Sequence, residues 1–201
     1  MRVLVIKTLL ILALLCGYLA VAPSAQVVKK NTALVKQIDS MFKTDQFWRK
    51  EFAKTQRKEK SIYSDEAIQS KWAEADRINE LKAKAIIKKY GYPGYDVVGT
   101  SSDSFWSIVQ HCDDDVPFQE RVLTLMKKEA AGNNASKEKC ALLTDRILVG
   151  KHQKQIYGTQ VQIDPKTHKA APFPLKDPKS VDKLRKKVGL EPLAAYLKSF
   201  E

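Results

Sequence analysis

Apolar residues recur at three- and four-residue spacing through most of this chain, the period of helices with one buried face. Leu34, Ile38, Met41 and Phe42, then Trp48 and Phe52, predict a long, highly charged helix over residues 31–60. The polar stretch "KTQRKEKSIYSDE" interrupts the pattern. Trp72, Ala75, Ile78, Ala85 and Ile86 mark a second helix over residues 70–90, closed by Gly91, a residue suited to a helix C-terminus. "GYPGYDVVGTSSDS" reads as a loop, with Ser102 or Ser104 capping a third helix, "FWSIVQHC". The acidic residues before Pro117 suit the start of a fourth helix, carried by Phe118, Val122, Leu125 and Met126 to Gly132. A fifth runs from Ser136 to Val149 with Cys140, Leu143 and Ile147 on one side.

The period changes at "KQIYGTQVQID", residues 154–164. Plain alternation leaves both faces of a strand mixed. A bulge at Gly158-Thr159 shifts the phase and puts Ile156, Val161 and Ile163 on a core face. Gln155, Tyr157, Gln160 and Gln162 then share the other face. Asp164-Pro165 turns the chain, and "AAPFPL" returns as an edge strand, since its prolines cannot donate to a ladder. Short helices over 181–187 and 192–200 end the chain. The predicted fold is α+β and mostly α-helical: residues 25–201 form one globular domain with a late β-hairpin and short C-terminal helices.

The N-terminus is a separate object. Arg2 and Lys7 precede the apolar run "TLLILALLCGYLAVA", and small residues follow in "AVAPSAQ". The run falls short of the roughly 20 residues of a spanning helix. Residues 1–24 therefore read as a signal peptide cut near residues 22–25, which implies export to the periplasm or beyond and no membrane span afterwards. Losing Arg2 and Lys7 with it lowers the net charge from +12 to +10. Most of that charge is lysine spread along helix faces rather than arginine, the better donor for bidentate phosphate contacts, so nucleic acid is an unfavoured partner. Cys112 and Cys140 survive processing, and an oxidising compartment would allow one disulfide between them.

Several short motifs occur in order along the chain: "VQHCDDD" at 109–115, "LLTDRILVGKHQKQIYGTQ" at 142–160 and "DPKSVDKLRKKVGLEPLAAYL" at 177–197. Asp45-Gln46 with Arg49, then Asp76 and Asn79 followed by "GYPGYDVVG", come before them. Together they resemble a bacterial family catalogued as a domain of unknown function, number 6624, marked by a "QHAD"-like helix, a "DRV" segment, a "QxYGTQ" strand and a "VGLxPL" tail. The resemblance covers nearly the whole chain after the signal segment. Cys112 stands where the family pattern has Ala, and Lys186 where it has a second Arg. The resemblance implies no activity, so function rests on the residues.

The polar residues at motif positions are Asp45, Gln46, Arg49, Asp76, Asn79, His111, Asp113, Gln119, Asp145, Arg146, Gln155, Tyr157, Gln160 and Arg185. Asp45 and Arg49 share a helix face, as do Asp76 and Asn79. The simplest arrangement gathers the whole set into one cleft walled by the late strand. In it His111 serves as acid or base, since imidazole titrates near neutral pH, with Asp113 or Asp145 orienting it. Arg49, Arg146, Arg185 and the glutamines clamp a small polar or anionic ligand. Adjacent aspartates 113–115 cannot all face one ion and no second histidine has ligand spacing, so no metal is expected; no GxSxG, P-loop or GxGxxG pattern calls for a cofactor. Two functions fit: an exported hydrolase-like enzyme, or a non-catalytic binding domain for such a ligand or a cell-envelope polymer. A purely structural hydrogen-bond network is the third reading.

Overall fold

A computed structural model describes residues 30–200 of the chain; the residues read above as a signal peptide, with Cys16 among them, lie outside these. The fold is mostly helical α+β. Six helices come first: α1 (Thr32–Gln56), α2 (Asp65–Tyr90), α3 (Tyr95–Val98), α4 (Ser101–Gln110), α5 (Val116–Ala131) and α6 (Lys137–Gly150). A two-stranded hairpin, β1 (Val161–Ile163) and β2 (Ala170–Pro172), and the short helices α7 (Val181–Lys187) and α8 (Leu193–Lys198) follow.

Helix starts follow local chemistry. Asn31, Ser64, Asp115 and Ser136 each accept a backbone N–H from three residues on, at the heads of α1, α2, α5 and α6. The third helix differs from expectation. α3 makes one turn within the predicted loop, and α4 starts early enough to bury Ser102, whose hydroxyl meets that of Tyr92 at 3.3 Å instead of capping. α1 and α2 run antiparallel: the buried Asn79 amide donates to the Met41 carbonyl, and Arg49 meets Asp76. α4 packs across both, and α5 with α6 completes a core around Ile38, Met41, Phe105, Ile108, Phe118, Val122, Met126 and Leu143. No helix among the described residues is long and apolar enough to cross a membrane.

Cys112 and Cys140 are buried free thiols, so the disulfide expected between them is absent. The Cys112 thiol instead points back to the Ile108 carbonyl, 3.5 Å away. Burial pushes Cys112 up to about 12, with Glu80 and Asp76 adding to it, and pushes Cys140 up to about 11. An unfolded thiol ionises near pH ~8.5. Both folded values are raised, so the unfolded chain binds fewer protons above that pH; the stability tied to these thiols is complete below it and declines as pH rises. In the native chain Cys112 should resist alkylation at pH ~9 and react fully once unfolded by urea. Rapid native labelling of Cys112, mapped by mass spectrometry, would contradict its burial.

The late hairpin is shorter than predicted. β1 pairs antiparallel with β2 in the register Val161↔Pro172, Gln162↔Ala171, Ile163↔Ala170. Residues 155–160 are not a bulged strand but a loop; it meets the return chain in a single β-bridge, Gln155 to Leu175, and in hydrogen bonds between Gln155 or Gln160 and Phe173. The expected core face fails with it: Ile163 is 51% exposed while Gln155 is fully buried. The physical reason is that buried polar side chains, rather than a strand ladder, satisfy this backbone.

Candidate functional site

His111 is the C-cap residue of α4, and its place is set from three directions. Gln119 of α5, buried, donates its amide to the carbonyls of Val109 and Gln110 at 3.1 and 3.2 Å, closing the open end of α4. Lys84 of α2 holds Asp115 at 2.6 Å and Glu80 at 2.5 Å, pinning the 111–115 turn against α2. Those two carboxylates raise the Lys84 ammonium above its ordinary value. The third direction is α1: His111 Nδ1 lies 2.8 Å from Asp45 Oδ1.

Asp45 is 1% exposed and held on every side. The Gln46 amide donates to its Oδ2 at 2.8 Å, and Arg49 Nη1 lies 3.0 Å from its Oδ1. Arg49 in turn makes a two-pronged pair with Asp76, at 2.9 and 3.1 Å, and stacks 4.9 Å over the Trp72 ring. An ionised carboxylate only accepts, so His111 Nδ1 carries its proton toward Asp45. In neutral imidazole the lone pair is then on Nε2. The carboxylate that meets His111 is Asp45, not Asp113 or Asp145. His111 also lines a cleft of about 480 Å³ with Gln69, Trp72, Ala73, Asp76, Arg77, Glu80 and Asp114. Most of these stand on α2 at positions 69, 72, 73, 76, 77 and 80, a three-to-four spacing that marks one helix face in the sequence.

Asp113 lies elsewhere. It makes a two-pronged pair with Arg146 at the surface, open to solvent. Asn79 is spent on joining α1 to α2. Among the described residues no group of three or more His, Cys, Asp or Glu side chains is placed to hold a metal ion.

Asp145 organises a separate structure. Its carboxylate, fully buried, accepts the backbone N–H groups of Ile156, Tyr157 and Thr159 and the Thr159 hydroxyl, at 2.8–3.1 Å. Gln155 does for the rest of the loop what Asp145 does for its centre. Its amide donates to the Gln160 and Phe173 carbonyls, and its Oε1 accepts the Gln160 N–H. Arg185, fully buried, donates to the Tyr157 and Glu191 carbonyls and stacks 4.8 Å from the Tyr196 ring; burial pulls its guanidinium below its ordinary value. The glutamines and glycine of 155–160 thus build a loop core. Gly158 sits at φ +72°, where a Cβ would come within 2.9 Å of Leu193 and 3.3 Å of Leu175. Gly158→Ala should cost about 2 kcal/mol from the left-handed backbone, and more from displacing α8. An unchanged urea midpoint would refute that.

The predicted single cleft therefore divides. Asp45, Gln46, Arg49, Asp76 and His111 come together; Asp113 pairs with Arg146; Asp145, Gln155, Tyr157, Gln160 and Arg185 form the loop core. Each of the three arginines expected to clamp a ligand already has protein partners.

The model of a family of unknown function, DUF6624, matches residues 32–201. No curated protein matches the chain, and no solved structure does.

Proposed function

We propose that this chain, which belongs to the family of unknown function DUF6624, is a hydrolase-like enzyme whose general base is His111, oriented by Asp45. The observation that carries this reading is the 2.8 Å contact between His111 Nδ1 and a carboxylate that is itself buried and held by Gln46 and Arg49. A fixed carboxylate on one imidazole nitrogen sets the tautomer and leaves the other nitrogen to take a proton from water or a substrate hydroxyl. Trp72 and Arg49 keep the pair in place, and Arg77 is the cationic donor on the cleft wall for charge that develops on the substrate.

The cleft charges favour a particular substrate. Asp76 is paired with Arg49 and Glu80 with Lys84, so Asp114 and Arg77 are the lining charges left over, one of each sign. That suits a neutral or zwitterionic polar substrate better than an anion. In the same reading the chain is exported, on the pattern of residues 1–24.

The test is His111→Ala, assayed on a panel of esters, amides and glycosides for turnover and by calorimetry for binding. Loss of turnover by about 10²–10⁴-fold with binding retained supports the base. Binding lost in parallel, with no turnover in either protein, would make the cleft a ligand-binding site instead.

A further inference from the structure

A second concavity, of about 230 Å³, shares no lining residue with the His111 cleft. Its wall is built from the small side chains of facing helices, Ala130 and Ala131 of α5 with Cys140 and Ala141 of α6. Two charged residues line it, Lys127 and Lys137, both exposed. Neither joins an ion pair among the described residues.

Thr144, Val188 and Tyr157 complete the lining, and the backbone of Tyr157 is held from several sides. Its N–H goes to Asp145, its carbonyl receives Arg185, and Gly158 beside it takes a left-handed turn between Leu175 and Leu193. The backbone that carries the ring is thus fixed before anything binds, and a pre-ordered wall spares a ligand part of the ordering cost. Burial, with Asp145 adding to it, raises the Tyr157 phenol, so it keeps its proton as a donor.

An apolar floor with cationic groups of one sign above it is complementary to an amphipathic anion. Size narrows the class: a dry cavity of roughly 150 Å³ holds one benzene, so this one admits a single ring or short chain with one acidic group, not a long acyl chain. We propose that the concavity between α5 and α6 binds a small amphipathic carboxylate, its apolar body on the alanine wall and its charge at Lys127 and Lys137. This site is independent of the reaction assigned to His111.

Benzoate and hexanoate are the probes, titrated into the full chain and followed by amide chemical shifts. Shifts at Ala130, Ala141, Thr144 and Tyr157 are expected with both, and none at those amides with benzylamine, which has the same ring and the opposite charge. Lys127→Glu combined with Lys137→Glu changes exposed side chains and should leave the fold intact while weakening benzoate roughly tenfold or more. Tyr157→Phe should keep the site and weaken it less. No shift at these four residues with either carboxylate at millimolar concentration would overturn the proposal. So would equal binding of benzylamine, or benzoate binding that survives the double charge reversal.

Discussion

Asp145→Ala should destabilise the chain by roughly 4 kcal/mol or more, because each buried donor left without a partner costs about 1–3 kcal/mol. The carboxylate collects three backbone N–H groups and one hydroxyl from a single loop, and none of those donors makes a hydrogen bond to any other acceptor. The damage should begin locally. The amides of Ile156, Tyr157 and Thr159 should lose hydrogen-exchange protection first, followed by α7 and α8, which are tied to the loop through Arg185 and Tyr196. Asp145→Asn keeps one accepting oxygen and should fall between. A urea midpoint for Asp145→Ala within about 0.5 kcal/mol of the parent, the range of ordinary surface changes, would show that water or local rearrangement replaces the carboxylate.

The second large effect falls on Asp45. Asp45→Asn keeps the shape but offers His111 an amide in place of a carboxylate. If the amide presents its NH₂ to Nδ1, the imidazole proton moves to Nε2 and the base is lost. On any substrate the parent hydrolyses, kcat should fall by about 10³–10⁴-fold, the cost of a wrongly set tautomer in a histidine-dependent hydrolase. Arg49 loses one of its two carboxylates but keeps Asp76, so the fold should survive with a stability loss of roughly 1–3 kcal/mol. The readout that separates orientation from structure is the pH profile: the variant should lose the limb that reports the base. Wild-type turnover in a folded Asp45→Asn protein would remove Asp45 from the mechanism.

Much of the fold was legible because helices are local objects. Leu34, Ile38 and Met41 recur with the helical period, and Asp115 and Ser136 bond to amides three residues away, so both signals lie within one turn of the chain. Gly91 closes α2 at φ +70° for the same reason. The strand reading of 154–164 failed because it assumed that side chains alternate between a core and a surface. In that loop the buried groups are amides, and the acceptor that organises them stands a helix away at Asp145. No period carries that information. The lining of the His111 cleft was half visible: positions 72, 76 and 80 share a face of α2, but Trp72 reads equally well as core.

The sequence by itself determined that long helices dominate, where α5 and α6 begin and α2 ends, that a hairpin follows them, and which polar residues stand at motif positions. Periodicity and capping depend on neighbours within about four residues, which any reading of the chain can see. Only the tertiary structure decided who pairs with whom. His111 takes a carboxylate 66 positions away rather than the aspartate two residues on. Arg49, Arg146 and Arg185 end in three separate places. The two cysteines stay apart as free thiols. Those outcomes turn on how helices cross and which buried groups need a partner, a balance struck across the whole core and not within any one segment of the chain.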